Sequence, residues 1–99
     1  MPTYEEDMAF QRDFRRLSKA QKLLLLRVRN LMVEDLREME SGDATWFRDG
    51  LVHKLQGVQS LYEMRWAEDG RAIFSFGTQQ QAGLLHIRWH RCGTHDILP

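Results

Sequence analysis

Near residue 61 the hydrophobic period of this chain changes from that of a helix to that of a strand, and few architectures accommodate such a switch. Before it, Phe10, Phe14 and Leu17 stand at i, i+4 and i+7, the spacing of one helix face. Ser18 and Gln21 form an S-x-x-Q capping box ahead of a longer helix. The stripe of that helix is Leu24, Val28, Leu31, Met32, Asp35 or Leu36, and Met39. Ser41-Gly42-Asp43 ends it, with Gly42 suited to a left-handed C-cap. The pattern predicts two antiparallel helices, Thr3 or Met8 to Leu17 and Lys19 to Glu40. Thr3 and Glu6 have the spacing of a further capping box, with a short strand through Tyr4 as the alternative.

From Ala44 to Ser60 the period is lost, with turns at Gly50 and Gly57 and with Trp46, Phe47, Leu51 and Leu55 as anchors. Tyr62, Met64 and Trp66 then alternate with Glu63 and Arg65, and beyond Glu68-Asp69-Gly70 the residues Ala72, Phe74 and Phe76 alternate with Arg71, Ile73 and Ser75. This is a hairpin pattern. A two-residue Asp69-Gly70 loop would pair Trp66 with Ile73 and mix the faces. A three-residue loop with Gly70 in a left-handed bulge position pairs Trp66 with Ala72, Met64 with Phe74 and Tyr62 with Phe76, and sets Arg71 opposite Ala67. The spacing predicts strands Leu61 to Ala67, Arg71 to Phe76 and, after a polar connection from Gly77 to Gly83, Leu84 to Arg91. The third strand alternates Leu85, Ile87 and Trp89 with His86, Arg88 and His90. The fold class is α+β: two helices covering the apolar face of a small twisted antiparallel sheet. Trp66, Phe74 and Trp89 are core residues on this reading.

Length and charge narrow the function classes. A chain of 99 residues is one domain, 1–99. Its one cysteine, Cys92, allows no internal disulfide, fits a reducing cytoplasm, and reads as a buried or idle thiol. The longest apolar run, Leu23 to Leu26, is far short of a membrane span, and the acidic start (Glu5, Glu6, Asp7) is wrong for a signal peptide. Net charge is zero but uneven: Arg12 to Arg29 carries seven basic residues against one acid, and Glu34 to Asp43 five acids against Arg37. A neutral chain gets no global pull toward nucleic acid, so any RNA contact must use local patches.

The polar sheet face collects Glu63, Arg65, Arg71, His86, Arg88 and His90, with His53 and Lys54 at the end of the loop and His95 and Asp96 in the tail. Phosphodiester cleavage draws on such groups: a base for the nucleophilic 2′-hydroxyl, cations for the phosphoryl oxygens, an acid for the leaving 5′-oxygen. The bland alternative is a solvated strand face. His86-x-x-x-His90 suits metal ligation on a helix but not on a strand, so no metal site or other cofactor is expected.

The segments His53-Lys54-Leu55-Gln56-Gly57, Tyr62-Glu63-Met64-Arg65-Trp66, Asp69-Gly70-Arg71-Ala72-Ile73-Phe74 and His86-Ile87 through Gly93-Thr94-His95-Asp96 follow one another in an order and spacing that resemble the RelE/ParE toxin superfamily. The resemblance is to its HigB/RelE-like branch in particular. With Phe14-Arg15-Arg16-Leu17 it spans residues 8 to 98. It implies a type II toxin: a metal-independent endoribonuclease that cleaves mRNA on the ribosome and is blocked by an antitoxin wrapped over its surface. By position, Arg65 and Arg71 would hold and neutralise the scissile phosphate. His95 would be the acid or base, Asp96 would orient it or share its proton, and Glu63 would be a second acid–base group. Lys54, His53, Arg88 and His86 would contact substrate. A ParE-like gyrase inhibitor, or a degenerate toxin that only binds its antitoxin, are the other readings of the same scaffold.

Overall fold

The computed structural model describes residues 2–37, 47–57 and 60–98. Within them the element order is β1 (Thr3–Glu6), α1 (Met8–Arg16), α2 (Lys19–Leu36), β2 (Val52–Lys54), β3 (Tyr62–Arg65), β4 (Gly70–Gln81), β5 (Leu84–Thr94) and a one-turn 3-10 helix, His95–Ile97. The helices cover one face of a five-stranded sheet of order β1-β5-β4-β3-β2. No helix among the described residues is long and apolar enough to cross a membrane. The expected end of α2 through Met39, Glu40 and Gly42, and the anchor Trp46, lie outside the described residues.

The α+β reading holds, and the sheet departs from it in being mixed. Thr3–Glu6 is a strand rather than a capping box, paired in parallel with β5 from Thr3↔His86 to Glu6↔Trp89. Arg29 on α2 fixes it, donating to Glu6 at 2.7 Å and lying over the rings of Tyr4 and Trp89. Ser18 forms the expected reciprocal box with Gln21 and starts α2. The buried residues of α2 are Leu25, Met32 and Leu36, while Leu24 is exposed. In a run of four leucines either phase satisfies the spacing, and packing selects the one led by Leu25.

The hairpin closes one residue earlier than the loop rule suggests. Trp66 N donates to Gly70 O and Gly70 N to Ala67 O, so the loop is Ala67 to Asp69. The pairs are Tyr62↔Phe74, Met64↔Ala72 and Arg65↔Arg71. This is a slip of two in register, which leaves every side chain on its expected face, so Met64, Trp66, Ala72 and Phe74 are all buried. Gly70 is not left-handed. Its lack of a side chain serves contact: a Cβ there would stand 2.5 Å from the Trp66 ring, whose Nε1 donates to Arg71 O. Gly70→Ala should therefore cost about 1–3 kcal/mol, as overpacking does, read as a fall in the urea midpoint. An unchanged midpoint would mean that the indole moves aside freely.

The polar segment Thr78 to Gln81 is the end of β4 rather than a connection, and the chain reverses at Ala82-Gly83 with Gly83 at φ 82°. The loop before β3 contributes β2, whose Val52, with Phe47 and Leu51, is buried. On β5 the pairs Ile73↔Arg91 and Phe74↔Trp89 leave His90 as an extra residue, a β-bulge. The bulge lets both Trp89 and Cys92, three apart, enter the core. Behind it Asp13 of α1 is buried, accepting from Arg91 and from the backbone N–H of Cys92.

Candidate functional site

The face away from the helices holds the polar residues, and strand register sorts them into two groups. The first lies where β2, β3 and the start of β4 meet. His53 pairs with Glu63, Glu63 with Ile73, and Arg65 with Arg71. Arg65 Nε and Nη2 both lie 3.0 Å from Glu63 Oε1. Glu63 Oε2 faces Arg71 Nε at 3.7 Å, too far for a hydrogen bond. Arg71 is itself anchored, its Nη1 donating to the carbonyls of Ala67, Glu68 and Gly70. The carboxylate of Glu63 thus separates two directly paired guanidinium groups that would otherwise repel.

Burial differs sharply within this group. Glu63 and Arg71 side chains are 6% and 13% exposed, and Arg65 is 44% exposed. Ile73, beside Glu63, is buried on this face too. Among the described residues, Glu63 Oε2, Arg71 Nε and His53 Nε2 are buried and find no hydrogen-bond partner. Such atoms each cost about 1–3 kcal/mol of desolvation, and three of them in neighbouring strand positions are a concentration of unmet hydrogen-bonding capacity.

The pairing Gly70↔Thr94 brings the hairpin loop beside the 3-10 helix, and His95 Nδ1 lies 3.3 Å from Asp69 Oδ1. The carboxylate against His95 is therefore that of Asp69, not of Asp96, which is exposed on the same helical turn. Nothing in the sequence marked Asp69 beyond its place in a turn; only the register of β4 on β5 assigns it. Lys54 pairs with Tyr62, a core-side residue, so it projects to the face opposite the arginines.

The second group lies farther along β4. Ser75 pairs with Arg88 and Gly77 with His86, four and six residues from Arg71, or roughly 13 and 20 Å of strand. The expected single collection of polar residues is thus two. His86 is buried between Thr3 Oγ1 (2.7 Å) and Glu5 Oε1 (3.2 Å), and Arg88 donates to Asp7 at 2.8 Å. Both are engaged with the N-terminal strand and its exit, away from the arginine cluster.

Cys92 pairs with Ala72 and turns to the core, on the opposite face of the sheet from both groups. Burial, then the nearby carboxylates of Asp13 and Glu6, push its thiol up to about 12. Since the thiolate is the reactive form, the native chain should be inert to a disulfide reagent at pH 8 and react with one equivalent in denaturant. Fast native labelling would place the thiol outside the core.

No family model matches the sequence, and no curated protein matches it. Solved structures do. A chain of the E. coli DinJ–YafQ toxin–antitoxin complex superposes with TM-score 0.63 at 20% identity, covering 98% of this chain and 96% of that one. A YoeB/ParE toxin from Agrobacterium tumefaciens gives 0.62 at 13%, covering 94% and 98%. The archaeal RelE–RelB complex from Pyrococcus horikoshii gives 0.59 at 18%, covering 98% of each chain. The fold is that of the RelE/ParE-type toxins. The match runs over nearly the whole of each chain, so the RelE-like fold accounts for the parallel β1 and both helices as well as for the hairpin.

Proposed function

We propose that this chain is the toxin of a type II toxin–antitoxin pair and that it cleaves mRNA, on the ribosome, without a metal ion. The observation that carries the reading is the Glu63–Arg65–Arg71 cluster on the face not covered by helices. It is a fixed pair of guanidinium groups with His95 at its edge, on a RelE-like scaffold. Arg65 and Arg71 bind the scissile phosphate and neutralise the charge that develops on its oxygens; the planar guanidinium is the side chain best suited to that task. His95, exposed and held by Asp69, moves the proton. Glu63 is too enclosed and too firmly held by Arg65 to be the second acid–base group, and its part is to align the two cations. His53, adjacent to Glu63, flanks the phosphate site. The antitoxin covers this face and removes it from RNA.

The experiment is induced expression followed by mapping of mRNA 5′ ends, with and without purified ribosomes in a parallel reaction. New 5′ ends that require Arg65 are expected. Intact mRNA together with inhibited gyrase supercoiling would replace this reading by the ParE-like one, and inactivity in both assays would leave antitoxin binding alone.

A further inference from the structure

The second polar group contains an arrangement that RNA cleavage does not use. Ser75 Oγ lies 2.8 Å from His90 Nε2, and His90 Nδ1 lies 3.1 Å from Asp7 Oδ2. A carboxylate only accepts, so neutral His90 carries its proton on Nδ1 and leaves Nε2 to accept from the Ser75 hydroxyl. Hydroxyl, imidazole and carboxylate stand in the order and at the distances of an activated serine.

Three features of the backbone bring them together. Ser75 sits on β4 directly opposite Arg88. His90 is the bulged residue of β5, and a bulge re-aims a side chain that regular pleating would send elsewhere. Asp7 is the N-cap of α1, yet its carboxylate makes no capping hydrogen bond; it turns instead to His90 and to Arg88, at 2.8 Å from Arg88 Nε. It forgoes the cap that its position offers, so the carboxylate is committed to the sheet face. Although burial opposes it, the contacts with Arg88 and His90 hold the Asp7 carboxyl below its ordinary value, so it is ionised at neutral pH. Arg88 uses Nε on Asp7 and is half exposed, and its strand position faces Ser75 across the ladder.

We propose that Ser75, His90 and Asp7 are a nucleophilic relay that hydrolyses small activated esters through an acyl-Ser75 intermediate, with Arg88 facing the oxyanion. Ser75 Oγ adds to the ester carbonyl while its proton passes to His90 Nε2, and the carbonyl electron pair moves onto the oxygen beside Arg88. Collapse expels the alcohol, which takes the proton from His90, and leaves acyl-Ser75. Water then adds, gives its proton to His90, and releases the acid as Ser75 recovers its hydrogen. The sum is ester plus water to acid plus alcohol. Ser75 and His90 are half-buried, which restricts the reaction to small esters with good leaving groups.

The test uses the full chain with a fluorophosphonate, which forms a Ser Oγ–P bond and loses fluoride and the serine proton as hydrogen fluoride. One adduct per chain on Ser75 by peptide mass spectrometry is expected, with turnover of p-nitrophenyl acetate. Ser75→Ala should lose both, and Asp7→Asn should label at least about a hundredfold more slowly, because the imidazole loses its orienting charge. An unlabelled wild type, an adduct on another residue, or ester turnover unchanged in Ser75→Ala would overturn the proposal. The wild-type result decides by itself, so a variant that fails to fold does not shelter it, and the outcome is independent of RNA cleavage.

Discussion

Arg71→Ala should lower mRNA cleavage by roughly a hundredfold or more, the usual effect of removing one positioned charge from a site that stabilises developing negative charge. Arg71 is the better anchored of the two arginines, tied to three carbonyls of its own hairpin loop, whereas Arg65 depends on Glu63 alone among the described contacts. Two consequences separate them. Arg71→Lys should not rescue activity, since an ammonium cannot reach the loop carbonyls and the phosphate together. Glu63→Gln should loosen Arg65 and reduce cleavage less than Arg71→Ala does. The readout is the rate of cleavage of a defined mRNA on ribosomes, with the urea unfolding midpoint as the check that each variant is folded. Wild-type rates in Arg71→Ala would remove the cluster from the mechanism.

Phe74→Ala should destabilise the fold by about 3–5 kcal/mol, a large part of what a domain of this size has. Phe74 is fully buried and its ring meets four others: Trp89 at 5.2 Å, Tyr62 at 5.5 Å, Phe76 at 5.7 Å and Phe47 at 6.3 Å between centroids. Tyr62, Phe76 and Trp89 stand on β3, β4 and β5, so their backbones are fixed by the ladder and cannot close on the space left behind; Phe47 lies in the segment before β2. Urea unfolding followed by tryptophan fluorescence measures the loss. A change below about 1 kcal/mol, the scale of a well-tolerated core swap, would show that the helices settle into the gap.

What could be read from the sequence follows from which signals are local. The alternation of Tyr62, Met64 and Trp66 with Ala72, Phe74 and Phe76 identified the sheet face, because parity survives a register slip of two. The register itself depended on Trp66 resting on Gly70, a contact between side chain and backbone that no loop rule carries. The Ser18–Gln21 box was legible because capping acts within one helical turn. β1 was not, since a strand of four residues, Thr3–Glu6, draws its identity from pairing with β5 at the far end of the chain. The candidate site was legible in residue type and not in grouping. Glu63, Arg65 and Arg71 do share one patch, and the fold joined Asp69 to His95 where sequence adjacency had suggested Asp96. His86 and Arg88 belong to a different patch because alternation tells which face a residue takes and not how far along the strand its partners lie. The bulge at His90 is invisible in a pattern that reads as regular through Trp89.

The union of the first strand with the last has a bearing on synthesis. Thr3 meets His86 across a sequence separation of 83, and the buried carboxylate of Asp13 finds Arg91 across 78. A nascent chain therefore carries an acid destined for the interior, and an unpaired first strand, until His86 and Arg91 have been made. Such distant contacts close late. His95 follows both of these partners in the sequence, so the polar patch that it borders is the last part of the sheet that synthesis supplies.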